Sequence, residues 1–280
     1  MRRIAWVTDS TAILDVELQN HPDVYTVPLT IILDGKEYQD GIDLTADQLY
    51  QQLKLLKTPP KTSQPSVGLF QELYENLGKN YDCIISVLLS SKLSGTVSSS
   101  EQAAQLVDVP VTTIDSRILS YPLTALLKKG MEWAQSGASI EEIKERYSLL
   151  IPSNELFVIV GSLEQLHRSG RMSGLQFVLG SMLNIKPIIS IKDGVLAVKE
   201  KTRSEKKALE KITQYLRASY EQYSFREAYL LYGLHEGPAQ EWMEKLTVEF
   251  PEIHFRMCPI GATLGVHAGE YTLGISWFNR

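Results

Sequence analysis

The segment CIISVLLSSKLSGT, residues 83–96, contains the clearest indication of the fold. Its first seven residues form an apolar run with the length and composition of a buried strand. A polar turn that ends at Gly95 follows, and the segment from Thr96 onward has the period of a helix. This order predicts one strand-to-helix unit of an α/β protein.

The same alternation extends on both sides of this stretch. Further strands are predicted at residues 4–8, 24–33 and 109–114, and helices at residues 46–56, 69–77 and 96–106. Helix starts are marked by Thr45 with Gln48 and by Ser139 with Glu142, because a hydroxyl followed three residues later by an amide or acid forms a capping box. The alternation predicts a mainly parallel sheet with helices on its faces.

The pattern changes in the second half of the chain. Residues 185–192 and 195–201 flank Asp193-Gly194, a pair that favours the type I′ turn of a β-hairpin. A helix is predicted at 204–220, with strands near 227–232 and 253–257 and a last strand that ends at Phe278. We expect an N-terminal α/β domain over residues 1–152 and a second α/β domain, with a mixed or antiparallel sheet, over 153–280.

The amino-acid composition limits the classes of binding partner that this protein can have. The 280 residues are 44% hydrophobic and 22% charged, which is enough for a buried interior, and the formal net charge is -5. This charge argues against nucleic acid and anionic membrane surfaces. Cys83 and Cys258 lie far apart and indicate a reducing compartment, and no apolar run has the length of a signal sequence or membrane span. We therefore expect a cytoplasmic protein without integral membrane association.

Common enzyme signatures are missing from the sequence. There is no dinucleotide-binding glycine motif, no P-loop and no nucleophile elbow. His235-Glu236 starts like a zinc-protease helix, but Ala239 stands where the second histidine belongs, and Gly237-Pro238 is expected to break the helix. Neither a metal nor a cofactor is expected.

Two polar clusters precede residue 70, and both are expected at the ends of strands. Open α/β sheets bind ligands beyond the carboxyl ends of their strands. Residues 8–11 include Asp9 and Ser10, which form either a turn with a helix cap or an acid that orients neighbouring hydroxyls. Residues 61–66 are interpreted as a loop that ends in the N-cap Ser66. Its Thr62 and Ser63 offer hydroxyls that can donate to a carboxylate.

Two more clusters follow later in the chain. Residues 90–96 offer Ser94 and the backbone N–H groups of a helix start, and Gly95 allows close approach of an anion, although capping alone would also explain them. Residues 261–269 are interpreted as a glycine-punctuated loop around His267. A lone histidine is more often structural, but the surrounding glycines favour a binding site.

Taken in order, the polar motifs resemble those of the DegV family over essentially the whole chain. The matching segments are Thr8-Asp9-Ser10, Thr62-Ser63-Gln64-Pro65-Ser66, Leu93-Ser94-Gly95-Thr96, Asp115-Ser116, Ser169-Gly170-Arg171 and Asn184-Ile185-Lys186-Pro187-Ile188. Several separate motifs in the same order make chance agreement improbable.

The resemblance implies a two-domain bacterial carrier that holds one long-chain fatty acid, such as palmitate, stearate or oleate, between its domains. On the matching positions, Thr62, Ser94 and His267 would bind the carboxyl group, with Ser63 and Gly95 beside them and Asp9 and Ser10 in support. A partner fatty acid kinase would convert the bound acid to an acyl phosphate for phospholipid synthesis. Arg171 and Arg203 would help to dock the kinase or its phosphate.

One motif departs from the family pattern. The family usually has His-Thr-Gly-Pro-Gly where this chain has His267-Ala268-Gly269-Glu270-Tyr271. His267 is kept, but Ala268, Glu270 and Tyr271 change the expected shape of the loop and its part in binding.

The free energy of burying a fatty acid tail agrees with the role of a carrier. Burying about fourteen methylenes contributes on the order of 10 kcal/mol before ordering costs, so affinity can come from an apolar tunnel. The carboxylate needs donors, because an unpaired buried charge is costly. The apolar residues expected to line the tunnel or to pack the core are Leu163, Leu166, Leu175, Phe177, Val178, Leu179, Met182, Leu183 and Ile185.

Two alternatives remain open from the sequence. Ser94 as nucleophile and His267 as base would make a lipid hydrolase or acyltransferase. The second alternative is a structural or regulatory module whose assembly responds to its ligand. An assay with acyl esters distinguishes the first from a carrier, and an oligomeric state that changes with added fatty acid would indicate the second.

Overall fold

The computed structural model describes residues 2–53, 55–172 and 185–280. The chain forms two compact units, Met1–Ile151 with Gly261–Thr263, and Pro152–Ile260 with Leu264–Arg280. Gly261–Thr263 belong to the first unit, although they lie within the range 153–280 that is expected to form the second domain. Long-range bonds to Asp40 hold that segment, and no local sequence pattern reveals them.

The first unit contains a parallel sheet and a small antiparallel sheet. Its strands are β1 (Ile4–Asp9), β2 (Val24–Val27), β3 (Thr30–Leu33), β4 (Lys36–Gln39), β5 (Lys61–Ser63), β6 (Cys83–Leu88) and β7 (Val111–Asp115). The parallel sheet has the order β2-β1-β6-β7, and the antiparallel sheet has the order β4-β3-β5. The strand predicted at 24–33 is two strands in different sheets, because Pro28 interrupts it and cannot donate to a ladder.

The described part of the first unit contains six α-helices, three of which pack on the parallel sheet. They are α1 (Val16–Gln19), α2 (Ala46–Leu53), α3 (Val67–Gly78), α4 (Thr96–Ala104), α5 (Tyr121–Gln135) and α6 (Ile140–Leu150). The capping predictions are confirmed: Ser139 and Glu142 form a reciprocal capping box, and the Ser66 side chain accepts from the Leu69 N–H at 3.1 Å. Local polar spacing therefore determines where these helices begin.

The core of the first unit lies between this sheet and α3 and α4. Strand β6 is buried along its whole length, and Phe70 and Tyr74 of α3 pack against Ile84 and Leu88. The Tyr74 hydroxyl shares a hydrogen bond of 2.6 Å with the Ser100 hydroxyl of α4. Because a buried hydroxyl without a partner is costly, this bond favours one arrangement of the two helices.

The second unit contains one mixed sheet. Its strands are β8 (Asn154–Ile159), β9 (Lys186–Lys192), β10 (Val195–Thr202), β11 (Glu227–Tyr232), β12 (His254–Pro259) and β13 (Leu273–Phe278), in the order β10-β9-β8-β13-β11-β12. The β11–β12 pair is parallel and the other pairs are antiparallel. Asp193 and Gly194 have φ values of 51° and 83°, as the predicted type I′ turn requires. The predicted α/β class is confirmed.

The α-helices that follow β8 in the chain correct two predictions. They are α7 (Leu163–Arg168), α8 (Glu205–Tyr223), α9 (Glu236–Glu249) and α10 (Ala262–Ala268). Gly237-Pro238 does not break α9, because it lies in the first turn, where proline loses no helical hydrogen bond. Residues 262–268 form a helix instead of a loop, and Gly269, with φ of 86°, ends it.

None of the described helices combines the length and the apolar character needed to cross a membrane. No group of three or more metal-ligating side chains is found within residues 2–53, 55–172 and 185–280.

Candidate head-group site

The carboxyl ends of β1 and β6 lie side by side in the parallel sheet. From β1 the chain continues to β2 on one side, whereas from β6 it continues to β7 on the other. Connections that diverge in this way leave a crevice beyond the strand ends, where α/β proteins bind ligands. The polar clusters at residues 8–11 and 90–96 both leave the sheet at this point.

The Asp9 carboxylate connects the first cluster to the end of β6 by hydrogen bonds. Its carboxylate accepts from the Thr11 N–H at 3.0 Å, the Thr11 hydroxyl at 2.5 Å and the Leu89 N–H at 2.7 Å. Burial raises the pKa of Asp9 to about 6, although these hydrogen bonds act in the opposite direction. Asp9 therefore forms a turn and also orients a hydroxyl. The helix cap that the first interpretation included is wrong, because the N-cap of α1 is Asp15.

Asp40 is a buried acid that the sequence analysis did not select. Its Oδ2 accepts from the Ser10 hydroxyl at 3.0 Å and from the Thr263 N–H at 3.4 Å. Burial raises the pKa of this carboxyl group. Asp40 stands between β4 and Gly41, where an acid suggests an ordinary turn, so the sequence contained no signal for this role.

The second cluster begins with a strand, which corrects its interpretation as a loop. Thr62 lies in β5 directly opposite Ile31, which is fully buried. Side chains of such a pair share one face of the sheet, so the half-buried Thr62 faces the packed side. Ser63 is exposed, and its hydroxyl donates to the carbonyl oxygen of Gln64 at 3.3 Å. The geometry therefore favours Thr62 over Ser63 as a ligand of a buried carboxylate.

The third cluster lies next to the second. Gly95 is the N-cap of α4, where no side chain caps the helix. The Gln64 side chain packs on Gly95 so closely that its Nε2 lies 2.8 Å from where a Cβ would stand. The segments that carry Thr62 and Ser94 are therefore neighbours within one unit, at the free N–H groups of a helix start.

Within residues 2–53, 55–172 and 185–280, no base is hydrogen-bonded to the Ser94 hydroxyl. Its hydroxyl shares a hydrogen bond of 2.9 Å with the Thr96 hydroxyl. A threonine hydroxyl cannot act as the general base that a serine nucleophile requires. The Ser94 contact thus suits hydrogen bonding to a ligand better than hydrolysis.

His267 lies in the last turn of α10, in the second unit. Burial lowers the pKa of its imidazole to about 4, and the positive charge of Arg171 lowers it further. At neutral pH the ring is therefore neutral. The Arg171 guanidinium donates to the Ser169 carbonyl oxygen at 2.6 Å. Convergence of His267 with Thr62 and Ser94 stays a prediction.

Only some of the other residues expected at the site lie in the described part of the chain. Arg203 is exposed in the turn that follows β10. Leu166 is buried in a cluster with Val160, Met172 and Ile189, and Leu163 packs against that cluster. Ile185 is half-buried. The expected tunnel residues Leu175, Phe177, Val178, Leu179, Met182 and Leu183 lie outside the described residues.

The loop that departs from the family pattern is tightly packed. The Tyr271 ring stacks on the His235 ring at a centroid distance of 4.3 Å. A Cβ at Gly233 would lie 2.3 Å from the Glu270 carbonyl oxygen, so Gly233 is needed for this contact. These contacts hold Glu270 and Tyr271 against the segment between β11 and α9.

Comparison with known proteins gives one consistent result. Residues 3–280 match the family model described as "Uncharacterised protein, DegV family". A DegV domain-containing protein of Listeria monocytogenes is 33% identical over 277 residues, which is 98% of each chain.

Two solved structures agree. A DegV family protein from Thermus thermophilus, described by its fatty acid binding, has a TM-score of 0.92 at 32% identity and covers 99% of both chains. DegV from Bacillus subtilis, described as a fatty acid binding protein, has a TM-score of 0.92 at 33% identity and covers 100% of both chains. The chain described here belongs to the DegV family.

Proposed function

We propose that this protein binds one long-chain fatty acid, with its tail in an apolar tunnel and its carboxylate at Thr62, Ser94 and His267. The observation that carries the proposal is the close approach of the Thr62 and Ser94 segments beside the uncapped start of α4. Hydroxyls and backbone N–H groups are donors, and a carboxylate accepts hydrogen bonds only. Two relatives at 32% and 33% identity are themselves described as binding fatty acids.

The donor set suits a carrier that must also release its ligand. Thr62 and Ser94 supply neutral donors, and the neutral His267 adds one more N–H at most. Each hydrogen bond to a charged group contributes about 1.5–3 kcal/mol, whereas a buried fixed counter-charge would hold the acid more firmly. The tail then supplies most of the affinity, at about 0.8 kcal/mol per methylene.

Mass spectrometry tests the proposal directly. Gently purified protein, once denatured, should release about one fatty acid of roughly 14 to 20 carbons per chain. Thr62→Ala and Ser94→Ala should each weaken retention about tenfold or more, since each removes a donor to a charged group. Ser98→Ala is the matched control, because Ser98 is an exposed serine one turn further along α4. Release of a polar ligand, or of none, would contradict the proposal.

We also propose that the bound acid is presented to a fatty acid kinase, which transfers a phosphoryl group from ATP to the carboxylate. This step follows from the family resemblance, with Arg171 and Arg203 as docking residues for the kinase or its phosphate. Incubation of the loaded protein with a purified bacterial fatty acid kinase and ATP should yield acyl phosphate and ADP.

Variants separate docking from binding. Arg171→Ala and Arg203→Ala should lower acyl phosphate formation without loss of bound acid. Arg226→Ala is the control, because Arg226 is an exposed arginine that pairs with Glu252. If the loaded protein yields no acyl phosphate, the kinase proposal is wrong. If all three variants behave alike, the docking role of Arg171 and Arg203 is wrong.

A further inference from the structure

Gly95 is a glycine for reasons of space and not of conformation. Its φ of -76° and ψ of 8° are accessible to ordinary L-residues. A Cβ built on Gly95 would instead lie 2.8 Å from Nε2, 2.9 Å from Cδ and 3.3 Å from Oε1 of Gln64. The whole carboxamide of Gln64 therefore lies against this glycine.

Gln64 is exposed, but its carboxamide is close to the candidate site. It follows Thr62 by two residues, and its carboxamide rests at the N-cap of α4, one residue beyond Ser94. In the described part of the chain this carboxamide makes no hydrogen bond. Its two N–H donors are therefore available at the place where the uncapped helix start also favours an anion.

We infer that Gln64 is a specificity-determining residue that donates to the ligand's head group and selects a carboxylate over an uncharged head group. The inference rests on the proposed binding of a fatty acid at Thr62 and Ser94. A carboxylate accepts hydrogen bonds at both oxygens, so it uses the Gln64 N–H together with the two hydroxyls. An alcohol has one oxygen and no charge, and it gains less from the same donors.

A competition experiment measures this selectivity. Protein stripped of lipid is mixed with equal amounts of palmitate and hexadecan-1-ol in detergent micelles at pH 8, and the bound ratio is read by mass spectrometry. Gln64→Ala should lower the palmitate-to-alcohol ratio about tenfold, because one donor to a charged group is lost. Gln64→Glu has nearly the same volume but replaces the donor with a negative charge, and it should lower the ratio about a hundredfold.

Gly95→Ala provides an independent perturbation that leaves Gln64 itself unchanged. The added Cβ collides with the far end of a flexible exposed side chain, so the carboxamide must move away while the fold is preserved. The ratio should fall about as far as in Gln64→Ala. In the double variant Gly95→Ala with Gln64→Ala there should be no further loss, because both changes remove the same donor. Gln102→Glu is the charge control, since Gln102 is exposed near the other end of α4.

The outcomes separate this inference from the proposed function. If the wild-type protein takes up palmitate but the Gln64 variants keep its ratio, Gln64 does not read the head group and the carrier function stands. If the wild-type protein takes up neither ligand, the proposed function is wrong and the role of Gln64 with it. An equal fall in Gln102→Glu would reveal a general charge effect and would also overturn the inference.

Discussion

The neutral state of His267 leads to a quantitative prediction about stability at acid pH. In the folded protein the imidazole has a pKa of about 4, against an ordinary value of 6.5. Below pH 6.5 the unfolded chain takes up a proton here that the folded chain does not accept until about pH 4. The contribution of His267 to the free energy of unfolding is therefore fully present above pH 6.5 and is lost as the pH falls towards 4.

The magnitude follows from the difference of about 2.5 between these two pKa values. Each pKa unit corresponds to about 1.4 kcal/mol, so the complete loss is about 3 kcal/mol, of which about 2 kcal/mol has occurred by pH 5. The variant His267→Gln lacks this titration. The difference in unfolding free energy between wild type and variant should therefore change by about 2 kcal/mol between pH 7 and pH 5.

Two measurements on lipid-free protein check this prediction. Urea unfolding at pH 7 and pH 5 gives the change in the difference, and groups that titrate in both proteins, such as Asp9, cancel. NMR titration of the histidine ring protons gives the pKa itself, with the His267 signal assigned by its absence from the variant. In Arg171→Gln the pKa should rise but stay below 6.5, because burial is the larger cause and remains. A His267 pKa near 6.5 in the wild type, or an equal difference in stability at both pH values, would refute the reasoning.

Two further predictions concern local packing and capping. Gly233→Ala should lower the unfolding free energy by about 2–3 kcal/mol, because its Cβ would lie 2.3 Å from the Glu270 carbonyl oxygen, and thermal unfolding measures this loss. Gly237→Ala, with nothing within 4 Å of the added Cβ, should cost little, and an equal loss would contradict the packing argument. Ser139→Ala should cost about 1 kcal/mol in urea unfolding, since it removes the capping box of α6. Ser148→Ala in the same helix is its control, and equal losses would show that the cap contributes nothing.

Elements with strong local signals could be predicted from the sequence. The buried strand β6, the capping box at Ser139 and the turn at Asp193-Gly194 each depend on residues within a few positions of one another. Apolar runs, polar caps and left-handed turn residues act through their immediate neighbours, so tertiary context changed little there.

The wrong predictions share a physical cause. Residues 61–63 looked like a loop, but pairing with β3 makes them a strand. Residues 262–268 looked like a loop because of their glycines, yet burial of Ala262 and Val266 favours a helix over the preference of Gly265. In both cases contacts with residues distant in the sequence stabilise the observed element by more than the unfavourable local propensity destabilises it.

For the candidate site, the amino-acid sequence alone shows which residue types stand at which strand ends, and through the resemblance it indicates the family. The tertiary structure decided which of them meet: Asp40 with Ser10, and the Gln64 carboxamide with Gly95. These pairs are about thirty positions apart in the chain. Their contact depends on how β3, β4 and β5 pair and how α4 packs on β6, because long-range pairing is the sum of many weak contacts that no short stretch of sequence contains.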